Sequence, residues 1–163
     1  MQIDAPDFAT IIEVLLRHDV DFIIVGGVCA VLLGAPVTTF DLDIVHSRTD
    51  ENLNRLHCAL NELDAHYREH LPKRLNPTIE GLNSKGHHLL ATRFGPLDVL
   101  GSIGIDDDYD RLVSHINQIS INENITAKIL QLNTLIEVKE KTAREKDFAM
   151  LNVLRTMREM NIA

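Results

Sequence analysis

The chain of 163 residues contains no tryptophan, and aromatic side chains make up only 4% of it. Hydrophobic residues still reach 45%, so a core of ordinary size has to be built from aliphatic side chains. No stretch approaches the roughly 20 apolar residues of a membrane-spanning helix. Only two cysteines occur, Cys29 and Cys58, and they lack the spacing of metal ligands. Free buried thiols in a reducing compartment are expected. The opening segment MQIDAPDF has neither the basic start nor the apolar run of a secretory leader, so a cytoplasmic location is expected. Internal repeats and low-complexity tracts are absent, and the length suits one domain.

Positive charge is scarce as well. The net charge is −8, unevenly distributed: residues 1–127 carry 9 basic and 19 acidic side chains, residues 128–163 carry 7 and 5. Such a balance does not describe a general nucleic-acid coat protein. It suits an acidic body with a metal-binding cluster and a tail that offers a few cations to phosphate; scattered surface charge would give the same totals. The division suggests a core over 1–127 and a helical extension over 128–163, together forming one compact unit.

Apolar residues at helical spacing predict a first helix in DFATIIEVLLRHD. DFIIVGG reads as a strand ended by glycines, and GVCAVLLGAP as a short helix closed by Gly34 and Pro36. FDLDIVH alternates as a strand does. A helix is expected over TDENLNRLHCALNELDAHY with Thr49 or Asp50 as cap, then a loop over LPKRLNPTIEGLNSKG. HHLLATRFGPLDVLGSI predicts a hairpin turning at Gly95-Pro96, IDDDYDRLVSHI a short helix, and QISINENITAKIL two strands about Asn122 to Asn124. LNTLIEVKEKT, capped near Asn133, and REKDFAMLNVLRTMREM complete the chain as helices. The expected class is α+β, a mixed α/β sheet flanked by helices with a helical C-terminal part.

Within this frame the acids stand out. Asp41 and Asp43 are two residues apart, which on a strand puts both side chains on one face with roughly 6 to 7 Å between Cα atoms. Leu42 and Ile44 then face the core. Two like charges on one partly buried face are costly unless a divalent cation lies between them. Asp98 sits in a matching apolar setting, between Leu97 and Val99. If its strand neighbours that of Asp41 and Asp43, three carboxylates converge as a two-ion site requires, with ions about 3.5 to 4 Å apart. Gly26 and Gly27, at the junction of a strand and a short helix, let the backbone approach a ligand, and their N–H groups favour a phosphate.

The segment VGGVCAVLLGAPVTTFDLDIV resembles the signature of the polymerase-β-type nucleotidyltransferase superfamily: paired glycines at a strand end, a short helix, then Asp-x-Asp on the next strand. Asp98 corresponds to the third acid of that family. The tail LQLNTLIEVKEKTAREKDFAMLNVL is similar to small bacterial members related to abortive-infection and toxin–antitoxin nucleotidyltransferases, matching at Lys139, Arg144, Lys146 and Asp147. Two positions depart from the pattern. Val37 stands where relatives often have an arginine, and Ala149 and Met150 occupy the region of a second acid after Lys-Asp.

The resemblance implies a mixed nucleotidyltransferase-like sheet and a two-metal phosphoryl transfer dependent on Mg²⁺, with Mn²⁺ as the alternative ion. Asp41, Asp43 and Asp98 would be both metal ligands and catalytic residues. Gly26, Gly27 and Thr39 would hold phosphate oxygens, and Lys139 and Lys146 would contact phosphate or acceptor. The substrate would be an NTP and the acceptor hydroxyl one of RNA, protein or a small molecule. The resemblance also implies an antitoxin-like partner; a homodimer would cover the open cleft of so small a chain. A binding module of the same fold that takes nucleotide, RNA or a protein partner without catalysis is the competing expectation.

The remaining polar clusters read more plainly. His66 and His70 lie one helical turn apart but have no evident third ligand. His87 and His88 point to opposite faces of a strand, so at most one faces the acids. DDDYD, residues 106–110, lacks the glycine and distal glutamate of a calcium loop and reads as a solvated acidic turn.

Overall fold

In the computed structural model, which describes residues 5–70 and 73–160, α1 (Phe8–Arg17) opens with the Asp7 carboxylate accepting from Thr10 N at 3.1 Å. It buries Ile11, Ile12, Val14 and Leu15, the stripe that its spacing predicts. β1 (Phe22–Val25) follows, buried at all four positions as a strand covered on both faces must be, and runs directly into α2 (Gly26–Leu32). β2 (Leu42–His46) pairs antiparallel with β1. α3 (Asp50–Glu62) is capped by Thr49, whose hydroxyl accepts from Asn52 N at 3.2 Å.

The helix expected to run on to Tyr67 stops earlier. Asp64 takes a left-handed φ of 56°, which a helix cannot contain, and His66–Tyr67 becomes the short strand β3. The expected loop also contains α4 (Ile79–Leu82), capped by Thr78; its first two residues, Leu71 and Pro72, lie outside the described residues.

β4 (His87–Thr92) and β5 (Gly95–Leu100) form the predicted hairpin, but the chain reverses at Arg93 and Phe94 rather than at Gly95-Pro96. Pro96 is tolerated because pairing of β5 with β2 begins only at Leu97, so its missing N–H interrupts nothing there. β6 (Ser102–Ile103) and β7 (Asp107–Asp108) make a small ribbon leading to α5 (Tyr109–Leu112). β8 (Ile116–Asn122) and β9 (Ile125–Leu130) form the second predicted hairpin. α6 (Leu132–Thr142) starts after Gln131, with Asn133 inside it rather than capping it. A single 3-10 turn over Glu145–Asp147 precedes α7 (Phe148–Glu159).

Among the described residues, seven strands form one mixed sheet in the order β3-β4-β5-β2-β1-β9-β8. The β2–β5 and β1–β9 pairs are parallel and the others antiparallel. The helices fall into two packed groups, α1 with α3 and α4, and α2 with α6 and α7. One hydrophobic core joins Ile23 and Ile24 of β1 to Leu135, Ile136, Leu151 and Leu154 of the last two helices. The division between residues 127 and 128 falls inside β9. No helix among the described residues is long and apolar enough to cross a membrane. Of the two free thiols, Cys29 is buried as expected, but Cys58 is exposed, because it lies on the outer side of α3.

Candidate active site

The central pairing of the sheet assembles the acids. β1, β2 and β5 lie side by side, and their register aligns Val25, Asp43 and Asp98 in one row across the sheet. Asp41 sits in a bend immediately before β2, where its carbonyl accepts the Thr39 hydroxyl at 3.0 Å. Leu42 and Ile44 are fully buried, which turns Asp43 to the opposite face. One carboxylate oxygen from each of Asp41, Asp43 and Asp98 lies within 4.8 Å of the others, and among the described residues no other group of three metal-ligating side chains approaches this.

Gly26 is part of the same construction. Its φ is +66°, and a Cβ there would overlap Asp43 Oδ2, so the bare backbone at the end of β1 makes room for the carboxylate. A Cβ on Gly27 would come within 2.6 Å of Thr39 Oγ1, so the second glycine admits the threonine that holds Asp41.

Three carboxylates this close do not all ionise readily. Burial pushes the Asp43 carboxyl up to about 8; the charge of Asp41 and a hydrogen bond with Asp98 add to the effect, and Lys139 opposes it. Asp41 is raised as well, by burial and then by Asp98, against the pull of Arg68. Asp98 is 8% exposed, and its Oδ1 is buried without a hydrogen-bond donor. Three oxygen ligands and two carboxyls raised by burial and by one another fit a hard divalent cation, whose binding would relieve the cost of holding them together.

Of the three acids, Asp43 opens onto a cleft of about 480 Å³ whose lining also includes Gly26, His87, Lys139, Arg144 and Asp147. Lys139 projects from the last turn of α6 with its side chain mostly buried, Nζ 3.9 Å from Asp147 Oδ1. Arg144 N donates to Asp147 Oδ2 at 3.0 Å, which fixes the tail motif at the cleft edge. Lys146 is exposed and does not line the cleft.

His87 faces the cleft. His88 is buried on the other side, with Nδ1 2.7 Å from the Tyr67 hydroxyl. His66 stands on β3 near Asp64 and Arg74, outside the cleft. In DDDYD, Asp106 pairs with Lys85, Asp107 with Lys141 and Asp108 with Arg48; Asp107 and Asp108 form β7 with their side chains largely covered, so these two do not sit in the solvated turn expected.

One site residue escapes the sequence altogether. Arg68 follows β3 and sends its guanidinium to the triad, Nη2 lying 2.8 Å from Asp98 Oδ1 at an angle outside hydrogen-bond geometry. Nothing local distinguishes it from the other arginines between residues 48 and 93. Its position depends on β3 being the neighbour of β4, and a two-residue strand leaves no periodic trace.

No family model matches the chain. No curated protein is significantly similar to it in sequence. Solved structures do match it. A candidate nucleotidyltransferase from Thermotoga maritima superposes with a TM-score of 0.59 at 16% identity, over 93% of this chain and 91% of that one. The antibiotic-resistance factor ANT(2'')-Ia, described for its substrate-regulated conformation dynamics, superposes with a TM-score of 0.57 at 13% identity, over 95% of this chain and 86% of that one. Both have the mixed sheet flanked by helices seen here, and the chain thus has the polymerase-β-type nucleotidyltransferase fold.

Proposed function

We propose that this protein is a divalent-metal-dependent nucleotidyltransferase that transfers a nucleoside monophosphate from an NTP to an acceptor hydroxyl. The observation that carries the reading is the direct pairing of Asp43 with Asp98 across adjacent parallel strands, with Asp41 closing the triad. A strand register that sets two acids side by side in the middle of a sheet is expensive unless a cation is its purpose. The likeness to a candidate nucleotidyltransferase and to an antibiotic-resistance factor supports the same class.

In this reading Asp41, Asp43 and Asp98 hold Mg²⁺ or Mn²⁺. When bound, the ion polarises the phosphoryl oxygens and offsets the charge that develops on them. Asp98 accepts the proton of the attacking hydroxyl. A new bond forms between that oxygen and the α-phosphorus, the bond to the β-phosphate oxygen breaks, and pyrophosphate leaves. Gly26 and Gly27 keep the backbone low at the end of β1 so that phosphates can approach, and Thr39 sets the Asp41 bend. Lys139 supplies a cation from α6 to the triphosphate, and Lys146, exposed outside the cleft lining, one to phosphate or acceptor.

The acceptor is RNA, a protein hydroxyl or a small molecule, and the tail motif favours the toxin half of a toxin–antitoxin pair. Incubation with Mg²⁺ and each α-labelled NTP, in the presence of total RNA, the protein itself or hydroxylated small molecules, should label one acceptor class. The Asp41→Ala variant should label none. Equal labelling by wild type and variant, or none by either, would overturn the proposal in favour of a non-catalytic binding module.

A further inference from the structure

Arg68 has two anchors. Its Nη1 donates to the carbonyl of the fully buried Leu90 at 2.7 Å, and its Nη2 lies 2.8 Å from Asp98 Oδ1. The side chain starts beyond the edge strand β3, crosses β4 and ends against β5, with only 30% of its surface exposed. A guanidinium held this way is a fixed cation, since its planar fork is already oriented by one bond when it meets the other.

We propose that Arg68 supplies the positive charge that a second divalent ion would bring to Asp98, so that the triad takes one ion rather than two. The inference rests on the reading of the triad as a metal site. The seating of the Arg68 guanidinium against the Asp98 carboxylate carries it. Oδ1 is buried, without a hydrogen-bond donor, and faces Arg68, so a cation on that side is either this guanidinium or an ion that displaces it. Asp41 and Asp43 each bring a carboxylate oxygen within 4.8 Å of one of Asp98. One ion fits among the three converging oxygens. A second, about 3.5 to 4 Å from the first and bound to Asp98, would stand against the guanidinium. Three carboxylates are balanced by one divalent ion and one arginine, which leaves the nucleotide-free site neutral. Arg68 is a positioning residue in this scheme, because it acts through Asp98 rather than on the substrate.

Titration with Mn²⁺, followed by electron paramagnetic resonance and calorimetry on the full chain, tests this. Wild type should saturate at one ion with the six-line spectrum of an isolated centre, up to millimolar Mn²⁺. Arg68→Gln should take a second ion and show the exchange-coupled spectrum of a close pair. Arg68→Lys, which keeps the charge, should remain at one ion, and Arg68→Met takes the place of the glutamine variant if that one does not fold. Two coupled ions in wild type, or one ion at unchanged affinity in Arg68→Gln, or a coupled pair in Arg68→Lys, would overturn the inference and leave the nucleotidyltransferase reading intact. No Mn²⁺ bound by wild type would overturn that reading itself, and this inference with it.

Discussion

Asp43→Asn should stabilise the metal-free protein, and increasingly so as the pH rises. The folded state holds the Asp43 proton up to about pH 8, against 3.8 for the free side chain, because burial and then Asp41 penalise the charged form. A raised carboxyl contributes stability that is complete below the unfolded value and is lost as the pH climbs through the folded one. Each unit of that climb costs ~1.4 kcal/mol, so from pH 5 to pH 9 wild type should lose on the order of 4 kcal/mol from this group. Asparagine resembles the protonated acid, with an N–H₂ to donate where the carboxyl proton lay, and does not titrate. At ~2 to 4 °C per kcal/mol for a chain of this length, the difference in Tm between variant and wild type should widen by ~8 to 16 °C over that range. Thermal unfolding followed by circular dichroism in a chelator at pH 5, 7 and 9 measures it. A difference that stays constant with pH, or a variant less stable than wild type at pH 9, would refute the idea that the triad stores electrostatic cost. Saturating Mg²⁺ should reverse the order, since only wild type gains stability from the bound ion.

Gly26→Ala should abolish Mn²⁺ binding in calorimetry, because its Cβ overlaps Asp43 Oδ2, and should cost about 1 to 2 kcal/mol in urea unfolding for the left-handed backbone alone. His46 is fully buried, with Nε2 2.8 Å from Leu82 O, and burial brings its imidazole down to about 4. A depressed base contributes stability that is present above the unfolded value of 6.5 and is lost as the pH falls towards 4. Urea unfolding at pH 7 and 4.5 should therefore show wild type losing about 3 kcal/mol more than His46→Gln, whose amide can still donate to Leu82.

Local chemistry made some of this architecture legible. Thr49 bonds the first turn of α3 as a cap residue does, and that signal is complete within four residues. The alternation in FDLDIVH set Leu42 and Ile44 against Asp43 before any partner strand was known, because a pleat of period two leaves no other choice. Gly95-Pro96 misled for the converse reason. Two turn-forming residues in a row are a local signal, yet Gly95 takes a φ of +135° against Pro6, and the reversal falls two residues earlier. Cys58 misled because a helix of mixed composition does not declare which of its sides is covered.

What local chemistry cannot carry is the lateral order of the strands. Asp43 and Asp98 are 55 positions apart, and their pairing follows from the burial of Leu42, Ile44, Leu97 and Val99 along one seam of the sheet. That adjacency could be anticipated from a resemblance, but the residues alone do not dictate it. Arg68 lies one strand further out and could not be anticipated at all. Val37, where the nucleotidyltransferases that the sequence resembles often have an arginine, is instead packed against the core, so the guanidinium at the triad comes from the opposite flank. The faces of the strands belong to the sequence and the order of the strands to the fold. The carboxylates, fixed by the faces, were therefore found, and the cation that tempers them, fixed by the order, was not.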